Sequence, residues 1–251
     1  MKQIVLEIAY IGTGYHGWQV QKNAVTVQQK MNEALYCFLG EETGIRGCSR
    51  TDSGVHANSY VCSFFTDKNT DIAKIPLALN MYLPDDIAVK RAAAAADDFH
   101  PRYSCISKQY IYKIYNSRIR DPFSKGLSYR YVPHIDEKLL DTQAKDLLGT
   151  HDFKSFCCEK SDIQDTVRTL TKADVTRDGD NILFTFEADG FLYNMVRIMT
   201  GTLLFINSGR FAPGCIPEII LAGKRQEAGF TVPGCGLYLN KVNYGGDIFG
   251  N

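Results

Sequence analysis

The segment Arg50-Thr51-Asp52-Ser53-Gly54-Val55-His56 sets one carboxylate between a cation and a glycine turn, directly ahead of the apolar run Tyr60 to Phe65. A glycine-bounded loop leading into a buried strand holds its acid in a fixed place. Arg50, two residues away, favours the ionised form. That is how a nucleophilic or general-base aspartate is built. Asp-Ser-Gly is also ordinary turn chemistry, since Asp tolerates turn geometry and Gly supplies positive φ, so local sequence alone leaves both readings open.

Other motifs compete for attention and fail on context. Gly12-Thr13-Gly14-Tyr15-His16-Gly17 is a literal G-x-G-x-x-G after a predicted strand. In a dinucleotide fold the helix opens within that motif and meets the pyrophosphate. Here the predicted helix begins only after Trp18 to Asn23, and the acid expected at the end of a second strand is missing. Gly47-Cys48-Ser49-Arg50-Thr51 lacks the second glycine of a hydrolase elbow. No Walker loop is present. The eight cysteines show no Cys-x-x-Cys or Cys/His zinc spacing and fit a reducing compartment. The five histidines are dispersed in sequence.

The elements that must position these residues follow from periodicity. A strand is predicted over Ile4 to Ile11. A helix follows over Val27 to Leu39, with Val27, Met31, Ala34, Leu35 and Phe38 on one face, a Thr26/Gln29 capping box and a Gly40 stop. Next come a strand at 60–66, a short helix opening near Pro76, and a strand from Ile87 to Arg91. Lys108 to Asn116 reads as a strand covered on both faces. The second half supplies a helix near Asp136 to Leu148, strands at 167–177 and 181–188 joined by Asp178-Gly179-Asp180, a helix from Leu192 to Asn207 and a strand at 237–243. With 251 residues, 45% of them hydrophobic, the chain can bury a substantial core as one large domain or two.

Formal net charge is zero, with 28 basic and 28 acidic residues, so any affinity for nucleic acid must come from local clustering. Such clustering exists. Arg102, Lys108, Lys113, Arg118, Arg120, Lys125 and Arg130 face only Asp121 in their stretch, whereas Tyr131 to Asp165 carries eight acids, Glu159 and Asp162 among them, against four lysines. One surface is therefore expected to be basic and another acidic. No apolar stretch reaches membrane-spanning length and the N-terminus lacks a cleavage-like site, so a soluble cytoplasmic protein is expected.

Seven segments in register resemble the tRNA pseudouridine synthase A family: Tyr10 with Gly14 to Gln19; Arg50 to His56; Phe99 to Ser104; Gln109 to Tyr112; Gly149 to Phe153 with Phe156; Gly190 to Arg197; and Gly236 to Leu239. The resemblance covers nearly the whole chain. It implies an α+β fold of two similar α/β halves, residues 1–116 carrying the aspartate loop and 117–251 completing a central cleft. These halves share a mixed, mainly antiparallel sheet with helices on one face. It implies isomerisation of uridine to pseudouridine at positions 38–40 of the tRNA anticodon stem-loop, with no cofactor, no metal and no nucleotide cofactor, by a homodimer. Residue by residue, Asp52 matches the essential aspartate, Arg197 its ion-pair partner and Tyr110 the active-site tyrosine that stacks on uracil. Arg50 contacts the RNA backbone or helps the nucleotide leave the stack, Leu237 lies against the base, and Arg102 and His56 belong with substrate binding. Ser53 stands for the usual Ala, and Cys157-Cys158 where many relatives place an arginine. A non-catalytic RNA-binding module is the alternative, but a carboxylate beside a phosphate-binding surface would repel the backbone.

Overall fold

A computed structural model describes residues 1–158 and 164–250. Glu159 and Asp162, two members of the expected acidic run, lie outside the described residues. The fold is α+β, with ten strands and five α-helices among the described residues. The chain forms two compact units, Met1–Ile106 with the C-terminal segment from Leu239, and Ser107–Tyr238.

In the first unit the chain runs β1 (Lys2–Tyr10), α1 (Val27–Leu39), β2 (Arg46–Gly47), β3 (His56–Thr66), α2 (Ile75–Asn80) and β4 (Ile87–Ala95). Strand β1 is the middle of the order β4-β1-β3 and pairs antiparallel with both neighbours. Ile4, Val5, Leu6 and Ile8 are all fully buried, so this strand is covered on both faces rather than alternating. Helix α1 has the predicted bounds. Thr26 caps it by accepting the Gln29 N–H, and Gly40 ends it at φ 70° with its N–H on Tyr36 O. Only half of the capping box forms, because the Gln29 amide donates forward to Glu33 instead. Strand β3 begins four residues earlier than expected, immediately after the Asp52 loop. Strand β4 extends to Ala95 through four alanines, poor strand formers held by register pairing with Gln3 to Leu6.

The second unit contains β5 (Ser107–Tyr115), β6 (Tyr129–Arg130), α3 (Glu137–Ala144), β7 (Gly149–Asp152), β8 (Val167–Asp178), β9 (Asn181–Ala188), α4 (Met195–Asn207) and α5 (Ile216–Ala222). Its strand order is β5-β9-β8-β7, antiparallel throughout, with β6 added parallel to the end of β5. Strand β10 (Leu237–Asn243) has the predicted bounds.

The sequence reading put the boundary between halves at 116/117. Strand β5 instead belongs to the second unit, because it pairs with β9 over Lys108 to Tyr115. The segment after Tyr238 returns to the first. The helix expected from Asp136 to Leu148 ends at Ala144, followed by a 3-10 turn over Lys145–Leu147. Gly149, expected as its stop, opens β7 at φ 103°. Helix α4 starts at Met195, not Leu192. Strands β2, β6 and β7 and helix α5 were not anticipated. No helix among the described residues is long and apolar enough to cross a membrane.

Candidate active-site elements

The Asp52 loop is held by the N-terminal motif, backbone to backbone. Trp18 N–H donates to Thr51 O at 3.1 Å and Gly54 N–H to Tyr15 O at 3.2 Å, while Val55 N–H closes the turn on Asp52 O at 3.2 Å. The Tyr10 hydroxyl meets Thr51 Oγ1 at 2.8 Å in a buried contact. Gly54 takes φ 75°, the positive value that the Asp-Ser-Gly turn predicts. Thr51 on one side is buried and Asp52 itself is half-buried, so the carboxylate sits at the edge of a fixed loop.

The glycines of the G-x-G-x-x-G motif now have a reason unrelated to phosphate. A Cβ on Gly12 would lie 1.9 Å from Val55 O, and one on Gly17, at φ 82°, would lie 2.4 Å from Thr51 O. Both let backbone pass against backbone under the loop. Gly47 does the same on the other flank, where a Cβ would lie 2.1 Å from the Tyr60 hydroxyl and 2.7 Å from Trp18 Nε1. Trp18 stacks on Tyr60 at 4.1 Å, and the Tyr60 hydroxyl donates to Ser49 O at 2.5 Å. Burial pushes the Tyr60 pKa well up, so this hydroxyl stays a donor.

Arg50, expected to bind substrate, is exposed. His56 is different. Expected to bind substrate, it is 1% exposed, and its Nδ1 accepts the Gly12 N–H at 3.1 Å, so it ties the first glycine turn to the start of β3. Arg102 is exposed, with its guanidinium over the Tyr103 ring at 5.7 Å. The adjacent His100 orders that turn by accepting Arg102 N–H at 3.1 Å. Burial, then the charges of Arg46 and Arg102, lower its pKa and keep Nδ1 an acceptor.

In the second unit Tyr110 lies on β5 opposite Phe186 of β9. It is 7% exposed, with Phe191 edge-on at 5.0 Å. Arg197, in the first turn of α4, is half-buried, as its apolar neighbours predict. Its Nε donates to Val232 O at 2.8 Å and its Nη1 to Asn194 Oδ1 at 2.6 Å. Asn194 is the one non-glycine at positive φ among the described residues, at 61°. It caps nothing with its side chain and spends its amide oxygen on Arg197. The Val232 segment is itself pinned to α4. A Cβ on Gly201 would lie 1.8 Å from Phe230 O, and Gly229 N–H donates to Thr202 Oγ1 at 2.8 Å. Tyr112 hydroxyl then reaches Pro233 O at 2.7 Å, so residues 232 and 233 join β5 to α4. Leu237 is 6% exposed and follows Gly236, whose own Cβ position lies 2.7 Å from Lys113 O. Cys157 is buried, and Cys158 N–H donates to Tyr193 O at 3.1 Å.

The model of the family described as tRNA pseudouridine synthase matches residues 7–104 and 143–245. The chain belongs to the tRNA pseudouridine synthase family. Proteins named tRNA pseudouridine synthase A from Acetivibrio thermocellus and Ruminiclostridium cellulolyticum are each 41% identical, covering 97% of this chain and 100% of the relative. The protein of that name from Staphylococcus aureus is 38% identical over 96% of this chain and 91% of its own. The matched spans of the tRNA pseudouridine synthase family include the Asp52 loop, Arg102, Arg197 and Leu237, while Tyr110 falls between them. Among the described residues no group of three or more His, Cys, Asp or Glu side chains is gathered as a metal ion would require.

Sequence reasoning did not foresee the residues that hold these groups in place: Tyr10 on Thr51, Tyr60 on Ser49, Asn194 and Val232 on Arg197. The signal was present in the glycines. Gly12, Gly17, Gly201 and Gly229 mark where two backbones touch, but a sequence does not say which two.

Proposed function

We propose that this protein isomerises uridine to pseudouridine in tRNA, at positions 38–40 of the anticodon stem-loop, with Asp52 as the catalytic carboxylate. One observation carries the reading: in a chain of the tRNA pseudouridine synthase family, Asp52 sits half-buried on a loop whose backbone is bonded to the N-terminal motif at Trp18 and Tyr15. Such fixing supplies the positional precision that a reacting carboxylate needs.

The reaction balances within one nucleotide. The N1–C1′ bond breaks, the uracil turns in place, C5 bonds to C1′, C5 gives up its proton and N1 gains one. Atoms and electrons are conserved without a co-reactant. Asp52 attacks the ribose, attacks the ring, or removes a sugar proton, and in each case acts as the carboxylate. In this reading Arg197 is a second member of the catalytic set. Its guanidinium orientation is supported by Val232 O and Asn194 Oδ1, a planar fork that a flexible ammonium does not reproduce. Tyr110, held edge-on by Phe191, offers a ring for stacking on the extruded uracil. Exposed Arg50 and Arg102 suit the phosphate backbone, and Leu237 suits the apolar face of the base. The reading also takes the protein as a cytoplasmic homodimer in which one tRNA spans both subunits. A monomer by sedimentation at assay concentration would count against that part.

The test is release of tritium from C5 of uridine in a mixed tRNA pool, followed by mapping of modified positions. Asp52→Asn should bind tRNA and unfold like the parent while losing release by more than about a thousand-fold. Equal turnover by mutant and parent would refute the assignment. A parent that binds tRNA without release would make this an RNA-binding module instead.

A further inference from the structure

The basic stretch Arg102 to Arg130 is only partly accounted for by Arg102, and its last third forms a separate feature of the second unit. Between β5 and β6 the chain makes a tongue, residues 116–131, with Phe123 at its tip. That phenylalanine is 90% exposed and Ile119 is 77% exposed. Loose loops often display such residues, but this one is tightly tied. Asp121 caps the tip by accepting Phe123 N–H at 3.0 Å and Ser124 Oγ–H at 2.5 Å. Ser124 O accepts Leu127 N–H and Ser128 N–H, and Arg130 donates back to Arg118 O. The base is anchored by Tyr131 N–H on Tyr115 O and by Tyr238 hydroxyl on Leu127 O at 2.5 Å.

Charge on the tongue is one-sided. Arg118, Arg120, Lys125 and Arg130 are exposed, and none of the four forms an ion pair among the described residues. The single acid, Asp121, is consumed within the turn, and its bonds to Ser124 and Phe123 lower its pKa. A rigidly presented ring flanked by four unneutralised cations is complementary to a nucleic acid: the ring takes a base face and the cations take phosphates.

We propose that the Arg118–Arg130 tongue is a second RNA-contact element, in which Phe123 stacks on a tRNA base outside the reacting nucleotide and Arg118, Arg120, Lys125 and Arg130 hold the adjoining phosphates. The inference rests on tRNA being the substrate. The tongue positions RNA and takes no part in bond making. A second copy of this chain is the competing occupant, but four like charges presented to their own symmetry mates repel.

The experiment compares the full-length parent with Phe123→Ala, Phe123→Tyr and the double variant Arg118→Gln/Arg120→Gln. It measures tRNA dissociation constants against salt, single-turnover tritium release at saturating tRNA, and sedimentation. Phe123→Ala should weaken tRNA binding by about 5- to 100-fold, with release at saturation unchanged and Phe123→Tyr close to the parent. The double variant should lower the slope of log affinity against log salt by about 1.5. Parental affinity in Phe123→Ala overturns the proposal while leaving the function intact. So does conversion of Phe123→Ala to a smaller species, which would make the tongue a contact between copies. A parent that binds no tRNA sinks the functional reading itself.

Discussion

Replacing each glycine of the Gly12/Gly14/Gly17 motif by alanine in turn separates what holds the Asp52 loop from what merely lies near it. Gly17→Ala adds a Cβ 2.4 Å from Thr51 O at a residue whose φ is 82°. The left-handed backbone costs about 1–2 kcal/mol for an alanine, and the overlap adds about 1–3 kcal/mol as overpacking. Position 17 cannot retreat, because Gly17 O accepts Val27 N–H and Trp18 O accepts Gln28 N–H at the start of α1. The strain therefore falls on Thr51 and Asp52. Restoring ordinary contact moves that carbonyl by roughly 1 Å, a displacement that costs about a hundred-fold in rate when the moved group reacts. Gly17→Ala should thus lose about 2–5 kcal/mol of stability and about two orders of magnitude in tritium release, with tRNA affinity held. Gly14 is the internal control. Its added Cβ meets nothing nearer than Asp86 Oδ2 at 3.9 Å, so Gly14→Ala should change stability by less than about 1 kcal/mol and leave release intact. Thermal unfolding and initial rates decide. Parental rates in Gly17→Ala, or equal damage in Gly14→Ala, would refute the argument that backbone contact positions the carboxylate.

Arg197→Lys keeps the charge but loses the fork, so either Val232 O or Asn194 Oδ1 goes unmet. Stability should fall by about 1.5–3 kcal/mol, and release should fall further than unfolding explains; a lysine variant with parental release would show that charge alone suffices. Glu7, 7% exposed at its side chain, lies 2.6 Å from Arg91 Nε and 3.7 Å from Lys90 Nζ. Burial raises its pKa, but bonds from Ser59 and Arg91 and the nearby cations outweigh burial and leave it lowered. A depressed folded pKa gives stability that is present above the unfolded value of about 4.3 and lost as pH falls through the folded one. The gap in melting temperature between parent and Glu7→Gln should therefore narrow as pH falls below about 4.5. A gap constant from pH 7 to pH 3 would contradict this.

What the sequence made legible were features whose cause is local. Helix α1 was readable to the residue because Thr26, Gly40 and a one-sided apolar stripe all act within a turn or two of the chain. The β8–β9 hairpin was readable because Gly179 at φ 57° closes it. Features with a remote cause were not. The expected strand ends at Arg91, and the Ala92 to Ala95 run continues it by pairing with Gln3 to Leu6 of β1. Helix α3 stops at Ala144, where the sequence carries no stop signal. Short β2, β6 and β7 carry too few residues to show a period.

The candidate catalytic residues divide along the same line. Asp52 was conspicuous from its own neighbours. Arg197 and Tyr110 gained meaning only from family resemblance, since an arginine in an apolar helix and a tyrosine in a strand are common. His56 shows the cost of reading a motif as if every member faced the ligand: its neighbour Asp52 is half-buried at the loop's edge, whereas His56 is sealed against Gly12. A motif folds as one physical object, and some of its residues hold the others. The same logic places Gly12, Gly17 and His56 together as positioning residues. Replacing His56 should therefore resemble Gly17→Ala, with a lowered turnover and an unchanged affinity for tRNA, and not a lost RNA contact such as Arg102 would supply.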